Sequence, residues 1–149
     1  MLSHTNFSGL KTRAISGVVM VALLLFAEWW GGLVFTSLVV VAGLLMLREW
    51  DKLTEHESMI WKVLGVIYVA TPCACLIWLR DQAEGAELVL FLMLVVWSTD
   101  IGAYFCGRIV GGPKLAPAIS PNKTWAGLMG GMIMAAVVGA ASTAFTPYP

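Results

Sequence analysis

The chain has 149 residues, of which 59% are hydrophobic and 12% charged, and its mean hydropathy is +0.84. Soluble domains carry about 25% charged residues, so this composition excludes an ordinary soluble domain and indicates an integral membrane protein. The formal net charge is zero, and no nucleic-acid partner is expected. The information in the charges therefore lies in their positions along the chain.

Apolar stretches divide the chain into about five predicted membrane spans. The first stretch, residues 14–47, is interrupted only near Glu28–Gly32. As one helix it would be roughly 50 Å long, against a hydrocarbon core of about 30 Å, so we predict two spans joined by a tight turn. Because lipid offers the backbone no hydrogen bonds, such runs indicate helices, and the predicted fold class is an all-α polytopic transmembrane protein. Within a single membrane domain, 1–149, the predicted spans are approximately 14–30, 31–47, 59–79, 88–106 and 125–145.

The lysines and arginines favour five spans with a cytoplasmic N-terminus. In this arrangement only Arg80 falls on the far side of the membrane, as the positive-inside rule expects. If the first two spans were one helix, the cations at 11–13 and those at 48–52 would lie on opposite sides of the membrane. The excess of cations on the cytoplasmic side would then be lost. The cations assigned to the cytoplasmic side are Lys11, Arg13, Arg48, Lys52, Lys62, Arg108, Lys114 and Lys123.

The fourth predicted span carries a carboxylate well inside its apolar run. Asp100, Tyr104 and Arg108 recur at i, i+4 and i+8 and therefore share one helix face. A carboxylate inside the membrane costs roughly 2.5–3.5 kcal/mol even on insertion scales, so it must face protein, a partner or water. Two interpretations stay open: an interhelical hydrogen bond that fixes packing, or the wall of a polar cavity open to the cytoplasm.

A rigid, basic connection joins spans four and five. Prolines recur every four residues at 113–121 and disfavour helix in the residue before each of them. Ser120 followed by Pro121 predicts a helix N-cap and a first helical residue, which would leave the N–H groups of 122–124 free to bind an anion. The alternative is a basic loop that only obeys topology and touches anionic headgroups. The basic side chains of this region are Arg108, Lys114 and Lys123.

The fifth predicted span carries small residues at a spacing of four. Gly127 and Gly131 form a G-x-x-x-G pattern, which Ala135 and Gly139 continue. Such a stripe indicates close contact between helices. It is compatible with a homodimer.

The stretch STDIGAYFCGRIVGGPKLAPAISPNKTWAGLMGG, residues 98–131, resembles the middle of bacterial phosphatidate cytidylyltransferases, the CDP-diacylglycerol synthases. In that family a D-x-G-A-Y-F-x-G-R segment leads through K-L-A-P to S-P-x-K-T-W. Residues 10–17 and 48–53 also resemble its N-terminal part, so the likeness covers essentially the whole chain. The matching residues of the central stretch are Asp100, Gly102, Ala103, Tyr104, Phe105, Gly107, Arg108, Lys114, Leu115, Ala116, Pro117, Ser120, Pro121, Lys123, Thr124 and Trp125.

The resemblance implies a reaction, a location and a cofactor. In that family the phosphate of phosphatidate attacks the α-phosphorus of CTP at the cytoplasmic face of the bacterial inner membrane, and CDP-diacylglycerol and pyrophosphate are formed. Mg²⁺ is the implied cofactor, because charge must be neutralised during phosphoryl transfer. We hypothesise that Asp100 is catalytic. The residues hypothesised to bind CTP or phosphatidate are Tyr104, Arg108, Lys114, Ser120, Lys123 and Thr124.

The chain departs from the family pattern in two ways. Ala126 stands where the family has a glutamate in T-W-E-G. The C-terminal family signature, which supplies the metal-binding acidic residues, has no counterpart, and the acidic residues at 49–57 are expected in an ordinary charged loop. The sequence therefore predicts a truncated enzyme whose metal ligands are unknown and which does not turn over CTP alone.

Three alternatives follow from the same residues. A non-enzymatic membrane protein that binds anionic lipid or a partner subunit is the main one. Another CTP-using lipid kinase or cytidylyltransferase fits the 100–125 match less well. A transporter or channel is disfavoured, because only one ionisable group lies deep in the predicted spans.

Overall fold

The computed structural model describes residues 7–143, and in this range five α-helices and one two-stranded hairpin occur. The chain divides into two compact units, with the boundary between Val89 and Leu90. In chain order the elements are α1 (Phe7–Trp30), α2 (Gly32–Leu53), α3 (Met59–Arg80), α4 (Gly85–Ile109), β1 (Lys114–Ala116), β2 (Ser120–Thr124) and α5 (Trp125–Thr143).

The helices confirm the all-α polytopic membrane class. Among the described residues, four helices are long and apolar enough to cross a membrane: α2, α3, α4 and the Trp125–Ser142 part of α5. The apolar part of α1, Ile15–Trp30, is shorter. Large apolar side chains such as Val18 and Ile67 are exposed along the helices, which is stable only where hydrocarbon covers them. The chain is therefore an integral membrane protein.

Three helices extend well beyond the apolar runs that predicted them, and the first is α1, which begins at Phe7. α2 continues to Leu53, so Glu49 and Asp51 are helical and their assignment to a loop was wrong. Lys52 Nζ lies 2.7 Å from Glu49 Oε1, and this pair stabilises the last turn of α2. α4 likewise runs from Gly85 to Ile109. Backbone hydrogen bonding continues past the hydrocarbon, so the length of an apolar run underestimates the length of its helix.

A glycine separates α1 from α2 in the region where the sequence predicts a tight turn. Gly31 has φ 66°, a left-handed conformation that glycine adopts without steric cost. Its N–H donates to the carbonyl oxygen of Ala27 at 2.9 Å and so closes the last turn of α1. A Cβ at this position would also lie 2.6 Å from Nη2 of Arg80. The turn therefore requires glycine for both its backbone and its neighbour.

A buried ion pair links the end of α1 to the end of α3. Arg80 Nε lies 2.9 Å from Glu28 Oε1, with only 18% and 7% of the two side chains exposed. Arg80 Nη2 also donates to the carbonyl oxygen of Glu28 at 2.8 Å. The one cation that the sequence assigned to the far side of the membrane thus has a specific partner.

Small residues let α2 and α3 approach closely. A Cβ at Gly43 would lie 3.0 Å from Sγ of Cys73, and the indole of Trp50 occupies the space that a side chain at Gly65 would need. Trp50 Nε1 donates to the carbonyl oxygen of Trp61 at 2.9 Å, which fixes that indole. The first unit is therefore held at both ends of α3.

The glycine stripe of α5 packs against α4. A Cβ at Gly127 would lie 2.9 Å from the carbonyl oxygen of Ala103, and one at Gly131 would lie 3.0 Å from that of Thr99. The prediction of close helix contact is confirmed, and the contact lies within the chain. Gly127 and Gly131 are therefore covered by α4, and the homodimer stays a prediction.

Some predicted features lie outside the described part of the chain. The last two residues of the predicted fifth span, 144–145, belong to them, and so do the side chains of Lys11 and Arg13.

Candidate functional site

All the predicted site residues lie in the second unit, on α4 and on the segment that leads to α5. On α4, Arg108 Nη1 donates to the hydroxyl oxygen of Tyr104 at 2.7 Å, and its guanidinium lies 5.9 Å from the centre of the same ring. Phe105 packs edge-on against that ring at 5.7 Å between centroids. The i, i+4 spacing thus brings two of the predicted residues together, and Tyr104 orients the guanidinium.

Asp100 lies one helical turn before Tyr104 and is exposed on the surface of the described chain. No hydrogen bond or ion pair to its carboxylate occurs within the described residues. Within the described residues the Asp100 carboxylate therefore has no partner for the interhelical hydrogen bond that was one of its two interpretations. A carboxylate so placed in an apolar helix requires water, a ligand or another polypeptide beside it.

Two hydroxyl groups next to Asp100 are used by the helix itself. Ser98 and Thr99 both donate to the carbonyl oxygen of Val95, at 2.9 and 2.7 Å. Such back-bonding satisfies a hydroxyl inside a membrane helix. These side chains therefore support the helix and leave Asp100 as the distinctive polar group of this turn.

The segment from Ser120 to Thr124 is a β-strand, so the predicted helix start at Ser120 and Pro121 was wrong. Proline restricts its own φ and favours an extended conformation in the residue before it. Both effects are compatible with an exposed strand as well as with a helix start. β2 pairs antiparallel with β1, Lys114 opposite Thr124 and Ala116 opposite Ser120. The N–H groups of 122–124 consequently do not form a first helical turn.

The true N-cap of α5 is Thr124. Its Oγ1 accepts a hydrogen bond from the N–H of Gly127 at 3.1 Å, and the residue is only 5% exposed. The N–H of Trp125 donates to the carbonyl oxygen of Pro113 at 3.1 Å and closes the base of the hairpin. A threonine three residues before a helical N–H is the signal in the sequence that could have identified this cap.

The cap also brings the hairpin against α4. A Cβ at Gly107 would lie 3.2 Å from Oγ1 of Thr124, so these two residues are in contact. We call this contact the Gly107–Thr124 junction. Arg108 follows Gly107 in the chain, Lys123 precedes Thr124, and Lys114 pairs with Thr124 across the ladder.

Arg108, Lys114 and Lys123 are therefore grouped at the Gly107–Thr124 junction. The sequence alone did not predict this contact. Paired residues lie about 5 Å apart and neighbouring Cα atoms 3.8 Å apart, so the backbones of the two lysines lie within roughly 9 Å of each other. Lys123 lies in the part of β2 where the register shifts, between the pairs Lys114–Thr124 and Ala116–Ser120. No ion pair to these three cations occurs within the described residues.

Ser120 lies apart from the junction. It is half-buried opposite Ala116, at the other end of the paired region. Its hydroxyl is therefore placed toward the apex of the hairpin, whereas the cations are at its base.

The described residues do not by themselves form a magnesium centre. No group of three His, Cys, Asp or Glu side chains comes together in residues 7–143. Within the second unit Asp100 is the only acidic residue in the sequence. Mg²⁺ prefers several oxygen ligands in an octahedral arrangement, and one carboxylate does not supply them.

Comparison with known proteins decides the family. A model described as the cytidylyltransferase family matches residues 51–149, which include every predicted site residue. The chain belongs to the cytidylyltransferase family. The resemblance recognised in the sequence is confirmed, and with it the assignment to nucleotidyltransferases at the level of the family.

Curated relatives of this chain agree with the family model. A phosphatidate cytidylyltransferase of Rickettsia bellii is 37% identical over 131 residues, which are 88% of this chain and 56% of the relative. That of Rickettsia typhi is 37% identical over 136 residues, 91% of this chain and 59% of the relative. That of Brucella suis is 33% identical over 180 residues, with 89% of this chain and 66% of the relative covered. The chain thus spans between 56% and 66% of the length of these relatives. No solved structure matches it.

Proposed function

We propose that this cytidylyltransferase takes part in transferring the cytidylyl group of CTP to phosphatidate, which yields CDP-diacylglycerol and pyrophosphate. The observation that supports this most directly is the trio of cations around the Gly107–Thr124 junction. They lie in the part of the chain that matches the family model. The curated relatives, named as phosphatidate cytidylyltransferases, supply the choice of substrates.

In this proposal the cations bind the phosphates of the two substrates. Arg108 is held by the Tyr104 hydroxyl and presents its remaining N–H groups to a phosphate. Lys114 and Lys123, at the base of the hairpin, contact phosphate groups of the substrates. Thr124 belongs to the same site and keeps Lys123 in place by capping α5.

The reaction needs positioning more than covalent chemistry from the protein. A phosphate oxygen of phosphatidate attacks the α-phosphorus of CTP, a new P–O bond forms, and the bond between the α-phosphorus and its bridging oxygen breaks. Pyrophosphate leaves with that electron pair. The Tyr104 hydroxyl accepts from Arg108 and can still donate its own proton to a phosphate oxygen. Ser120 supplies a further hydroxyl donor on the hairpin, and Asp100 is proposed as the acidic group of the site.

Mg²⁺ belongs to the proposal as a requirement of the reaction. Asp100 would provide at most one protein ligand from the second unit. Phosphoryl transfer in general depends on a cation that neutralises the phosphates, and this is the reason for expecting it.

The proposal also assigns a side of the membrane. The relatives named above are bacterial, which supports the inner membrane as the location. Arg108, Lys114 and Lys123 lie in or beside one connection between spans, and the positive-inside rule favours the cytoplasm for that connection. CTP is a cytoplasmic nucleotide, and it would reach the junction from that side.

The test is CTP binding and turnover by the purified chain in detergent with phosphatidate and Mg²⁺. We expect Lys123→Ala to weaken CTP or phosphatidate binding by about 10- to 150-fold, the value of a charge-assisted hydrogen bond of about 1.5–3 kcal/mol. Lys52→Ala is the matched control, because Lys52 pairs with Glu49 on α2, outside the site. Unchanged binding of both substrates in the Lys123 variant would remove Lys123 from the site.

Turnover is measured as phosphatidate-dependent release of pyrophosphate. If the chain alone is silent, it is mixed with the remaining part of the Rickettsia bellii relative, expressed separately. Activity in either case supports the proposal. Silence in both, together with no affinity for CTP, would refute it.

A second candidate function, a non-enzymatic membrane protein that binds anionic lipid, is supported by the exposed lysines of the hairpin, Lys114 and Lys123. A protein of this kind would bind phosphatidate vesicles without discriminating CTP from UTP.

A further inference from the structure

The apex of the β1–β2 hairpin is apolar and uncovered. Ile119 is 88% exposed, and its N–H donates to the carbonyl oxygen of Ala116 at 3.1 Å, which fixes the turn that presents it. Most of the other strongly exposed apolar side chains lie on helices, where membrane lipid covers them. Ile119 lies on a non-helical segment, so its exposure needs a separate explanation.

The hairpin is held at a membrane interface by its two ends. It follows the end of α4 at Ile109 and leads directly into α5 at Trp125, and both helices are long enough to cross a membrane. The hydrogen bond from the N–H of Trp125 to Pro113 ties the base of the hairpin to the first turn of α5. Three strand residues extend about 10 Å, and one headgroup layer is roughly 5–8 Å thick, so the apex stays close to the lipid surface.

The charged side chains of the hairpin and its flanking residues are all positive. Residues 101–149 contain three cations, Arg108, Lys114 and Lys123, and no aspartate or glutamate. Lys114 and Lys123 are exposed, and neither forms an ion pair within the described residues. A segment that combines exposed lysines with an exposed apolar side chain is suited to an anionic membrane surface.

We propose that the hairpin is a membrane-contact element that lies in the headgroup layer. Ile119 inserts below the phosphates, and Lys114 and Lys123, which bind substrate phosphates in the proposed function, contact the phosphates of anionic phospholipids when no substrate is bound. The partner is the lipid of the surrounding membrane. This proposal does not depend on cytidylyl transfer, because the contact would exist in a chain that catalyses nothing.

The experiment measures the depth of the apex in the membrane. The full chain is prepared without its three cysteines, with Ala at Cys73 and Cys106 and Ser at Cys75, and Ile119→Cys is labelled with an environment-sensitive fluorophore. It is reconstituted in phosphatidylcholine vesicles with and without phosphatidylglycerol. Glu57→Cys, exposed in the connection between α2 and α3, is the matched control. Helical content and tryptophan fluorescence establish that both variants fold.

We expect blue-shifted emission at position 119 and quenching by shallow spin-labelled lipids, with water-like emission and iodide quenching at position 57. Spin-labelled phosphatidylglycerol should quench position 119 more than spin-labelled phosphatidylcholine does. Lys114→Gln with Lys123→Gln should reduce that preference by up to about fivefold per lysine.

Three outcomes would overturn the proposal. Water-like emission at position 119, as at position 57, would show that the apex extends into solvent. Blue-shifted emission without quenching by labelled lipids would show that protein covers Ile119. Equal quenching by the two labelled lipids would show that the lysines do not select anionic headgroups.

Discussion

The cap at Thr124 can be tested by removing its hydroxyl without changing its shape. Thr124→Val keeps the volume of the side chain, whereas Thr124→Ser keeps the hydroxyl and loses one methyl group. In the wild type, Oγ1 accepts from the N–H of Gly127 at 3.1 Å, and both residues are buried. Valine would leave that N–H without a partner at the first turn of α5.

The expected cost follows from the burial of this hydrogen bond. Loss of an N-cap typically costs about 0.5–2 kcal/mol, and an unpaired buried N–H about 1–3 kcal/mol, so we expect Thr124→Val to lose about 1–2 kcal/mol. The serine variant should lose at most about 0.8 kcal/mol, the value of one buried methylene. The order wild type, serine, valine is therefore the prediction for stability.

Two measurements test this order of stability. Equilibrium unfolding in mixed micelles gives the free energy of unfolding, and hydrogen exchange at the Gly127 amide gives the local opening. We expect exchange at Gly127 to accelerate roughly 5- to 30-fold in the valine variant, as 1–2 kcal/mol implies. Equal stability of the valine variant and the wild type, with unchanged exchange at Gly127, would show that Thr124 does not cap α5. The CTP affinity of the folded Thr124→Val variant should change less than that of Lys123→Ala. Thr124 only holds Lys123 in place by capping α5, whereas Lys123 itself is proposed to contact the phosphate.

Other predictions follow from the packing and from the reaction. Gly130→Ala should destabilise the protein by about 1–3 kcal/mol, because its Cβ would overlap the side chain of Cys106, whereas Gly139→Ala, with no atom within 4 Å of its Cβ, should be neutral. Thermal unfolding in detergent compares the two, and equal midpoints would contradict the close α4–α5 packing. Arg80→Gln should cost about 3–5 kcal/mol by leaving Glu28 buried without its partner, and Glu28→Gln combined with it should cost less than the sum of the single changes. Additive losses in unfolding free energy would show that the two side chains do not interact. Chelation of divalent cations should abolish pyrophosphate release and leave detergent unfolding unchanged, and activity that survives chelation would exclude Mg²⁺.

The composition and the apolar runs of the sequence were sufficient for the membrane class, because no other environment stabilises so many exposed apolar side chains. The i, i+4 spacing on α4 was sufficient for the contact between Tyr104 and Arg108, since helix geometry alone brings such residues together. The glycine stripe of α5 predicted a close contact with another helix, but it did not indicate that this helix is α4.

The start of α5 and the grouping of the cations depended on tertiary structure. Proline restricts φ equally in a strand and in a first helical turn, so the local sequence at Ser120 fits both. Pairing between β1 and β2 and the contact of Thr124 with Gly107 decide between them. Whether this pairing forms depends on the packing of the hairpin against α4, which the local sequence does not contain. Sequence therefore determined the membrane helices and one polar face, whereas the β1–β2 pairing and the contact of Thr124 with Gly107 grouped Lys114 and Lys123 at the junction next to Arg108 in the chain.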